Sequence, residues 1–384
     1  MIPFNKPYLH GRELVYIAES VASGKISGDG IFTKKAHTFF ESRYGFQKVL
    51  LTTSCTDALE MTAILLNIQT GDEVIAPSFT FVSTVNAFVL RGAQLVFADC
   101  CEGHPNIDAD KIESLITEKT KAIVVVHYAG VPCDMKKIME LSRRYDIAVV
   151  EDAAQAIDSY YEGVPLGSIG TFGTFSFHET KNIISGEGGM LVINDEKFNH
   201  RAEIIREKGT NRSSFFRGEV DKYGWVDIGS SFLPSDIVAA YLYAQLEQLD
   251  VIQLRRKLLW KRYYKKLKPL DGIGIHLPYH PTDESNNAHM FYLICENEKY
   301  RNDLIQHLKA NEVHAVFHYL SLHSSPYYAS QHHGAELVNC DRFSETLVRL
   351  PLFYDLTEAE LDKVVDLIFS FTTEKAVQVN TNDQ

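Results

Sequence analysis

The chain has 384 residues, 45% of them hydrophobic, and a formal net charge of -12. It is long enough to bury a large core and to make two domains. The acidic balance, with a pI near 5.7, excludes a general nucleic-acid binder and leaves an anionic substrate only a local basic cluster to bind to. No apolar run reaches the roughly 18 residues of a membrane span. Met1-Ile2-Pro3-Phe4-Asn5-Lys6 carries no apolar signal core, so neither membrane insertion nor secretion is expected. Cys55, Cys100, Cys101, Cys133, Cys295 and Cys340 form no C-x-x-C pair, which suits reduced thiols in the cytoplasm.

From about residue 48 to 195, short apolar runs alternate with helical patterns. Strands are expected at 48–53, 73–77, 94–98, 121–127 and 147–151, with helices at 56–66, 83–91 and 134–145 between them. Two more strands, 172–177 and 190–193, follow. Continuous apolar runs are what buried parallel strands show, so the alternation predicts an α/β domain with a mainly parallel sheet. The pattern changes near 245. One long helix is expected over 244–267, then strands at 273–277 and 289–295, a helix at 300–311 and a last amphipathic helix at 358–371. The reading is a large domain over 1–245, a smaller α+β domain over 246–372, and a polar, flexible tail over 373–384.

Three features inside the first domain converge. Lys181 follows Phe175-Ser176-Phe177-His178-Glu179-Thr180 and precedes the concentrated glycine run Ser185-Gly186-Glu187-Gly188-Gly189. Asp152 ends the apolar strand Val149-Val150-Glu151-Asp152, with Gln155 just beyond it. Thr53-Ser54-Cys55-Thr56-Asp57 joins a strand to a helix, where free amides and hydroxyls suit a phosphate. A lysine for a Schiff base, an acid for a pyridine nitrogen and a phosphate turn are the parts a pyridoxal phosphate (PLP) site needs. Each has a plainer reading. Asp152 alone reads as a helix N-cap, the Ser/Thr turn as an ordinary cap, and Phe81, which would stack on a flat cofactor, as core. Glu151 must point to the opposite side of the sheet from Asp152. Neither a P-loop nor a dinucleotide fingerprint is present. His314 and His318 lack the glutamate of a zinc helix, so no metal site is expected.

These motifs resemble those of the DegT/DnrJ/EryC1/StrS sugar aminotransferases, fold type I PLP enzymes, over nearly the whole chain from Ile2 to about Phe371. The segments that carry the likeness are Ser54-Cys55-Thr56-Asp57-Ala58-Leu59, Pro77-Ser78-Phe79-Thr80-Phe81, Glu151-Asp152-Ala153-Ala154-Gln155 and Phe175 through Lys181 to Gly189. Ser27-Gly28-Asp29-Gly30, Ile205 to Ser213 and Ala315-Val316-Phe317-His318-Tyr319 look most like the branch that makes dTDP-4-amino-4,6-dideoxygalactose for enterobacterial common antigen. The resemblance implies that Lys181 is the Schiff-base lysine, Asp152 the pyridine-nitrogen partner and Gln155 the neighbour of the phenolic oxygen. It makes Thr56, the Asp57 backbone and Ser176 the phosphate binders and Phe81 the stacking ring. Ser231 stands where many relatives carry an asparagine that reaches the cofactor phosphate of the partner subunit, so it is the candidate for that contact.

The implied reaction moves the amino group of L-glutamate to the C4 ketone of dTDP-4-keto-6-deoxy-D-glucose, in a homodimer with active sites at its interface. Arg212 and Arg217 are candidates for the sugar diphosphate, and His178 and His318 join them as substrate-binding candidates. The gluco epimer and a 3-amino sugar stay open as products. Relatives that are C3 dehydratases replace the lysine with histidine, which Lys181 argues against. A non-catalytic PLP-binding regulator is the alternative of another class.

Overall fold

A computed structural model describes residues 1–281 and 286–382. The strands of its first half are β1 (Lys48–Thr52), β2 (Glu73–Pro77), β3 (Gln94–Ala98), β4 (Thr120–Val126) and β5 (Ala148–Asp152). A small hairpin of β6 (Tyr160–Tyr161) and β7 (Val164–Pro165) precedes β8 (Phe172–Ser176) and β9 (Gly189–Ile193). Seven of these strands form one sheet in the order β1-β9-β8-β5-β4-β2-β3. Only β9 runs against its neighbours. The rest are parallel, as the continuous apolar runs predict: Val124, Val125, Val149 and Val150 are completely buried, because helices cover both faces. Strand alternation sorts the side chains. Leu50 packs into the core on one face, and Val49 and Leu51 into the core on the other.

The second unit holds a four-stranded sheet of β10 (Ile275–His276), β11 (Phe291–Cys295), β12 (Val316–Phe317) and β13 (Leu347–Leu350), in the order β10-β11-β13-β12. The chain start joins it: Ile2 bridges to Val313 and lies in this unit's core. The single helix expected over 244–267 is two, Asp236–Leu246 and Leu249–Leu267, broken at Gln248. Its apolar pattern runs on across the break without a helix breaker, and the second helix serves two cores in turn. Leu249 and Ile252 pack beneath the large sheet, and Leu259, Trp260 and Tyr263 pack in the second unit.

Two more expectations change. The strand expected at 273–277 shortens to β10. The last helix, expected over 358–371, spans Glu358–Asn382. Two N-terminal helices, Arg12–Ala22 and Ile31–Tyr44, had no sequence reading. No helix of the described residues is long and apolar enough to cross a membrane.

Candidate active site

The parallel strands β1, β2, β5 and β8 end on one edge of the sheet, the edge where ligands of open α/β sheets bind. Chain turns at that edge bring together segments far apart in sequence. The helix Cys55–Leu65 starts there after β1, with Ser54 as its cap; the Ser54 side chain accepts from the Asp57 amide at 3.0 Å. Beside it the chain returns at the start of β9. A side chain at Gly189 would come within 2.2 Å of the Ser54 backbone, so only glycine allows this approach.

Lys181 sits in the connection between β8 and β9. That loop is tied across itself by Phe177 to Gly188 at 2.8 Å, Ser185 to Phe177 at 2.7 Å and Glu179 to Gly186 at 2.9 Å, all N–H to carbonyl. The amide of Lys181 donates to the His178 carbonyl at 2.9 Å. The lysine projects into a cavity of about 590 Å³, a volume suited to a small cofactor and part of a substrate.

Asp152 closes one side of the cavity, with only 6% of its surface exposed. Thr84 donates its hydroxyl to Oδ2 at 2.7 Å, and the Ala154 amide donates to Oδ1 at 3.1 Å. Burial pushes its pKa up, while these two donors and the Lys181 charge pull it back. Lys181 moves the other way. Burial lowers its pKa, Cys55 and Asp152 oppose that shift, and the Arg349 charge adds to it. Its surface is only half-buried because it faces the cavity; the desolvation it does suffer makes its amine neutral more readily than a surface lysine's.

Glu151 points away, as the strand pleat requires. Its carboxylate accepts from the amides of Gly167, Ile169 and Gly170 at 2.6 to 2.8 Å and pairs with buried His127 at 2.9 Å.

Residues 7–369 match the DegT/DnrJ/EryC1/StrS aminotransferase family. The chain belongs to that family. It is 30% identical to an uncharacterized protein of Methanocaldococcus jannaschii, over 97% of this chain and 98% of that one. Among solved structures it is similar to the aminotransferase TlmJ of Streptoalloteichus hindustanus, with a TM-score of 0.90 at 29% identity, covering 98% of this chain and 100% of TlmJ. It is also similar to S. venezuelae DesV, solved in complex with a ketimine intermediate, with a TM-score of 0.88 at 29% identity, covering 97% and 98% of the two chains. The fold is thus that of the DegT-family, fold type I PLP aminotransferases, and the family's cofactor is PLP.

The cavity fits that cofactor. Ser54 leaves the amides of Cys55 and Thr56 without an acceptor inside the helix. With the hydroxyls of Thr56 and Ser176 lining the same cavity, they make a cradle for a phosphate dianion. Asp152 retains lone pairs for a ring nitrogen, and Lys181 faces the same space. Among the described residues no cluster of His, Cys, Asp and Glu suits a metal ion.

Most of the sequence candidates meet here. Lys181, Asp152, Gln155 and Ser176 line the cavity, as do Thr56, Phe81, His178 and His318. Phe81 is 55% exposed rather than core. Gln155 is locked in place: the Ala129 amide donates to its Oε1 at 2.6 Å, and its Nε2 donates to the Tyr319 hydroxyl at 3.2 Å.

Four candidates lie elsewhere. Asp57 does not line the cavity, and its amide, expected at the phosphate, is engaged by the Ser54 cap. Its carboxyl is pushed up to about 6 by burial and by Glu60. Ser231 is exposed and bridges to Glu207. Arg212 lines a separate cavity of about 460 Å³ with Lys208 and Tyr223. Arg217 pairs with Glu203 at 2.9 Å and Glu219 at 2.6 Å.

The sequence reading missed Thr84, Tyr319, His289 and Arg349, which also line the cavity. Only Arg349 left a signal, a lone charge in the apolar run Leu347-Val348-Arg349-Leu350.

Proposed function

We propose that the chain transfers the amino group of L-glutamate to the C4 ketone of dTDP-4-keto-6-deoxy-D-glucose, giving dTDP-4-amino-4,6-dideoxy-D-galactose. The observation that carries the transamination is the pairing of Lys181 and Asp152 across one cavity, with the phosphate cradle beside them. The choice of sugar rests on the likeness of the segments 27–30, 205–213 and 315–319 to the branch named above.

Bound PLP supplies an electrophilic carbon and an electron-withdrawing ring. The chain's own groups do the rest. The Lys181 amine, its charge disfavoured by burial, serves as nucleophile, and when free it carries a proton at Nζ from the donor's Cα and back again in the second half-reaction. The Asp152 carboxylate, whose pKa burial raises, would stay ionised against a protonated ring nitrogen and so keep that nitrogen charged. The amides of Cys55 and Thr56 and the hydroxyls of Thr56 and Ser176 hold the phosphate. Phe81 covers one face of the cavity, its ring centroid 6.0 Å from that of Tyr319. In the first half-reaction glutamate leaves as 2-oxoglutarate; in the second the keto sugar takes up the amine.

The reading includes a homodimer. Phe216, Trp225 and Leu320 are 69%, 84% and 64% exposed, apolar area that a second copy would cover, and Ser231 is free to reach a partner's site. The six unpaired cysteines suit a reducing cytoplasm.

The test is to incubate the holoenzyme with dTDP-4-keto-6-deoxyglucose and L-glutamate and to read the C4 proton couplings of the product by NMR. Small couplings to H3 and H5 are expected for the axial amine of the galacto sugar. Large couplings would make the product the gluco epimer, and an amine at C3 would move the site of attack. No bleaching of the bound cofactor with any amino donor would make the chain a non-catalytic regulator.

A further inference from the structure

Arg349 is a buried cation with no anion of its own among the described residues. Strand alternation places Val348 and Leu350 in the second unit's core. Leu347 and Arg349 therefore face the other way, beside Tyr292 of β11, towards the Lys181 cavity. Arg349 is 9% exposed. Among the described residues it makes no ion pair with a carboxylate. Its Nη1 donates to His318 Nε2 at 3.3 Å, its Nε has no partner, and the Phe4 ring lies 4.8 Å from its guanidinium carbon.

The state of His318 follows from these contacts. A guanidinium can only donate, so His318 Nε2 accepts and Nδ1 carries the proton, next to the Tyr128 hydroxyl at 3.3 Å. His318 is thus neutral, in keeping with a pKa held well below the usual histidine value by burial, Arg349 and Lys181. It orients the arginine but does not neutralise it. Leaving a charge unpaired in the interior is strongly unfavourable, and the cavity it faces is where an anion can enter.

We infer that Arg349 binds the α-carboxylate of the amino donor through the guanidinium N–H groups that His318 leaves free. This rests on the aminotransferase reading above. The cofactor phosphate has its own cradle at the helix Cys55–Leu65, and the keto sugar carries no carboxylate. The donor's Cα must reach the Lys181 amine for its proton to move, and the α-carboxylate is bonded to that carbon. The Arg349 charge is felt at Lys181, so the two groups serve one neighbourhood. A planar fork also suits a carboxylate better than a lysine would.

The experiment follows the absorbance of the PLP-loaded enzyme against three amino donors and one blocked one. L-Alanine keeps the α-carboxylate only, 4-aminobutyrate keeps only the distal carboxylate, and α-methyl-L-glutamate binds but has no Cα proton to lose. Arg349→Gln should raise the half-saturation for L-glutamate, L-alanine and α-methyl-L-glutamate by at least about tenfold, as expected for removing one partner of a buried charge pair, and leave 4-aminobutyrate unchanged. Arg349→Lys should recover part of the loss. Both variants should bind dTDP as the parent does and show a thermal midpoint no lower than the parent's, which excludes misfolding.

Unchanged half-saturation for glutamate and its α-methyl analogue would overturn the inference. So would a loss for glutamate with none for alanine, which would place the distal carboxylate at Arg349, or a loss confined to dTDP, which would place the diphosphate there. If the parent enzyme itself responds to no donor, the aminotransferase reading fails first, and that result is separate from the behaviour of the variants.

Discussion

Arg349 and Arg217 show how differently one residue type is used in two regions of this chain. Arg217 lies in the segment that follows the short helix Arg212–Phe216, its side chain 44% exposed, held by Glu203 and Glu219. Arg349 stands in the interior of the second sheet with a neutral histidine and an aromatic ring for company. The exposed arginine has its charge answered by its own chain, in a medium that screens the pair. The buried one has its charge answered by no carboxylate among the described residues. Interior charge without a counter-charge marks a binding site more clearly than surface charge does. Lys181 obeys the same rule: burial and Arg349 disfavour its charge, and this keeps its amine reactive.

The sharpest way to break this contrast is at Lys181. Lys181→Ala should lower turnover by at least about a thousandfold, because covalent tether and proton carrier are lost together. Borohydride reduction followed by peptide mass spectrometry should find the cofactor on the Lys181 peptide of the parent and on no peptide of the variant. Stability should not fall, since the variant removes a buried amine whose charge is penalised. Turnover within tenfold of the parent would remove Lys181 from the chemistry, because a tenfold change is only about 1.4 kcal/mol of barrier.

Asp152→Asn is expected to cost about a hundredfold or more in rate while the protein still binds cofactor. The asparagine Oδ1 still accepts from the Ala154 amide, and its amide nitrogen can donate to Thr84, so the local hydrogen bonds survive. What is lost is the anion beside the ring nitrogen. If Asp152 served only to cap the turn after β5, the variant would cap equally well and work at nearly the parent rate. The single substitution therefore separates the two readings.

The sequence made the interior of the large sheet legible and left much of the site's other wall obscure, for a physical reason. Strands such as β4 and β5 are buried on both faces, so each announces itself as an unbroken apolar run, and its end locates Asp152. Lys181 and the turn at Ser54 could be read because each lies in one short contiguous segment. The setting of Arg349 draws on Phe4, Tyr128 and His318, which no local pattern connects; only the return of the N-terminal segment and the pairing of β13 with β11 and β12 assemble it. The break at Gln248 was hidden in the same way. Both halves of that helical pattern are good helix formers, and Ala244 and Leu246 before the break pack in the same core as Leu249 and Ile252 after it, so no change in the apolar pattern marks it. Asp57 shows the same limit on a finer scale: the resemblance puts its amide at the phosphate, and no local pattern told that the Ser54 side chain accepts from that amide as a cap.

The smallest effects should lie in the segment 211–219, and they sharpen the contrast from the surface side. Arg212 lines its own cavity with Lys208 and is stacked on Phe216 at 5.1 Å, and no carboxylate within the described residues pairs with it. Arg212→Ala should raise the half-saturation for the dTDP-sugar several-fold, by roughly the 1 to 2 kcal/mol of one charge-assisted hydrogen bond, and leave the glutamate half-reaction unchanged. Arg217 is the weaker candidate for the diphosphate, because a phosphate must compete with Glu203 and Glu219 for it. Arg217→Ala should move the sugar constant less than Arg212→Ala does and change stability by less than about 1 kcal/mol, since Lys48 still holds Glu203 at 2.6 Å. If neither variant moves the sugar constant, the diphosphate does not bind this segment; if Arg217→Ala moves it more, the carboxylates around Arg217 position it for substrate rather than occupy it.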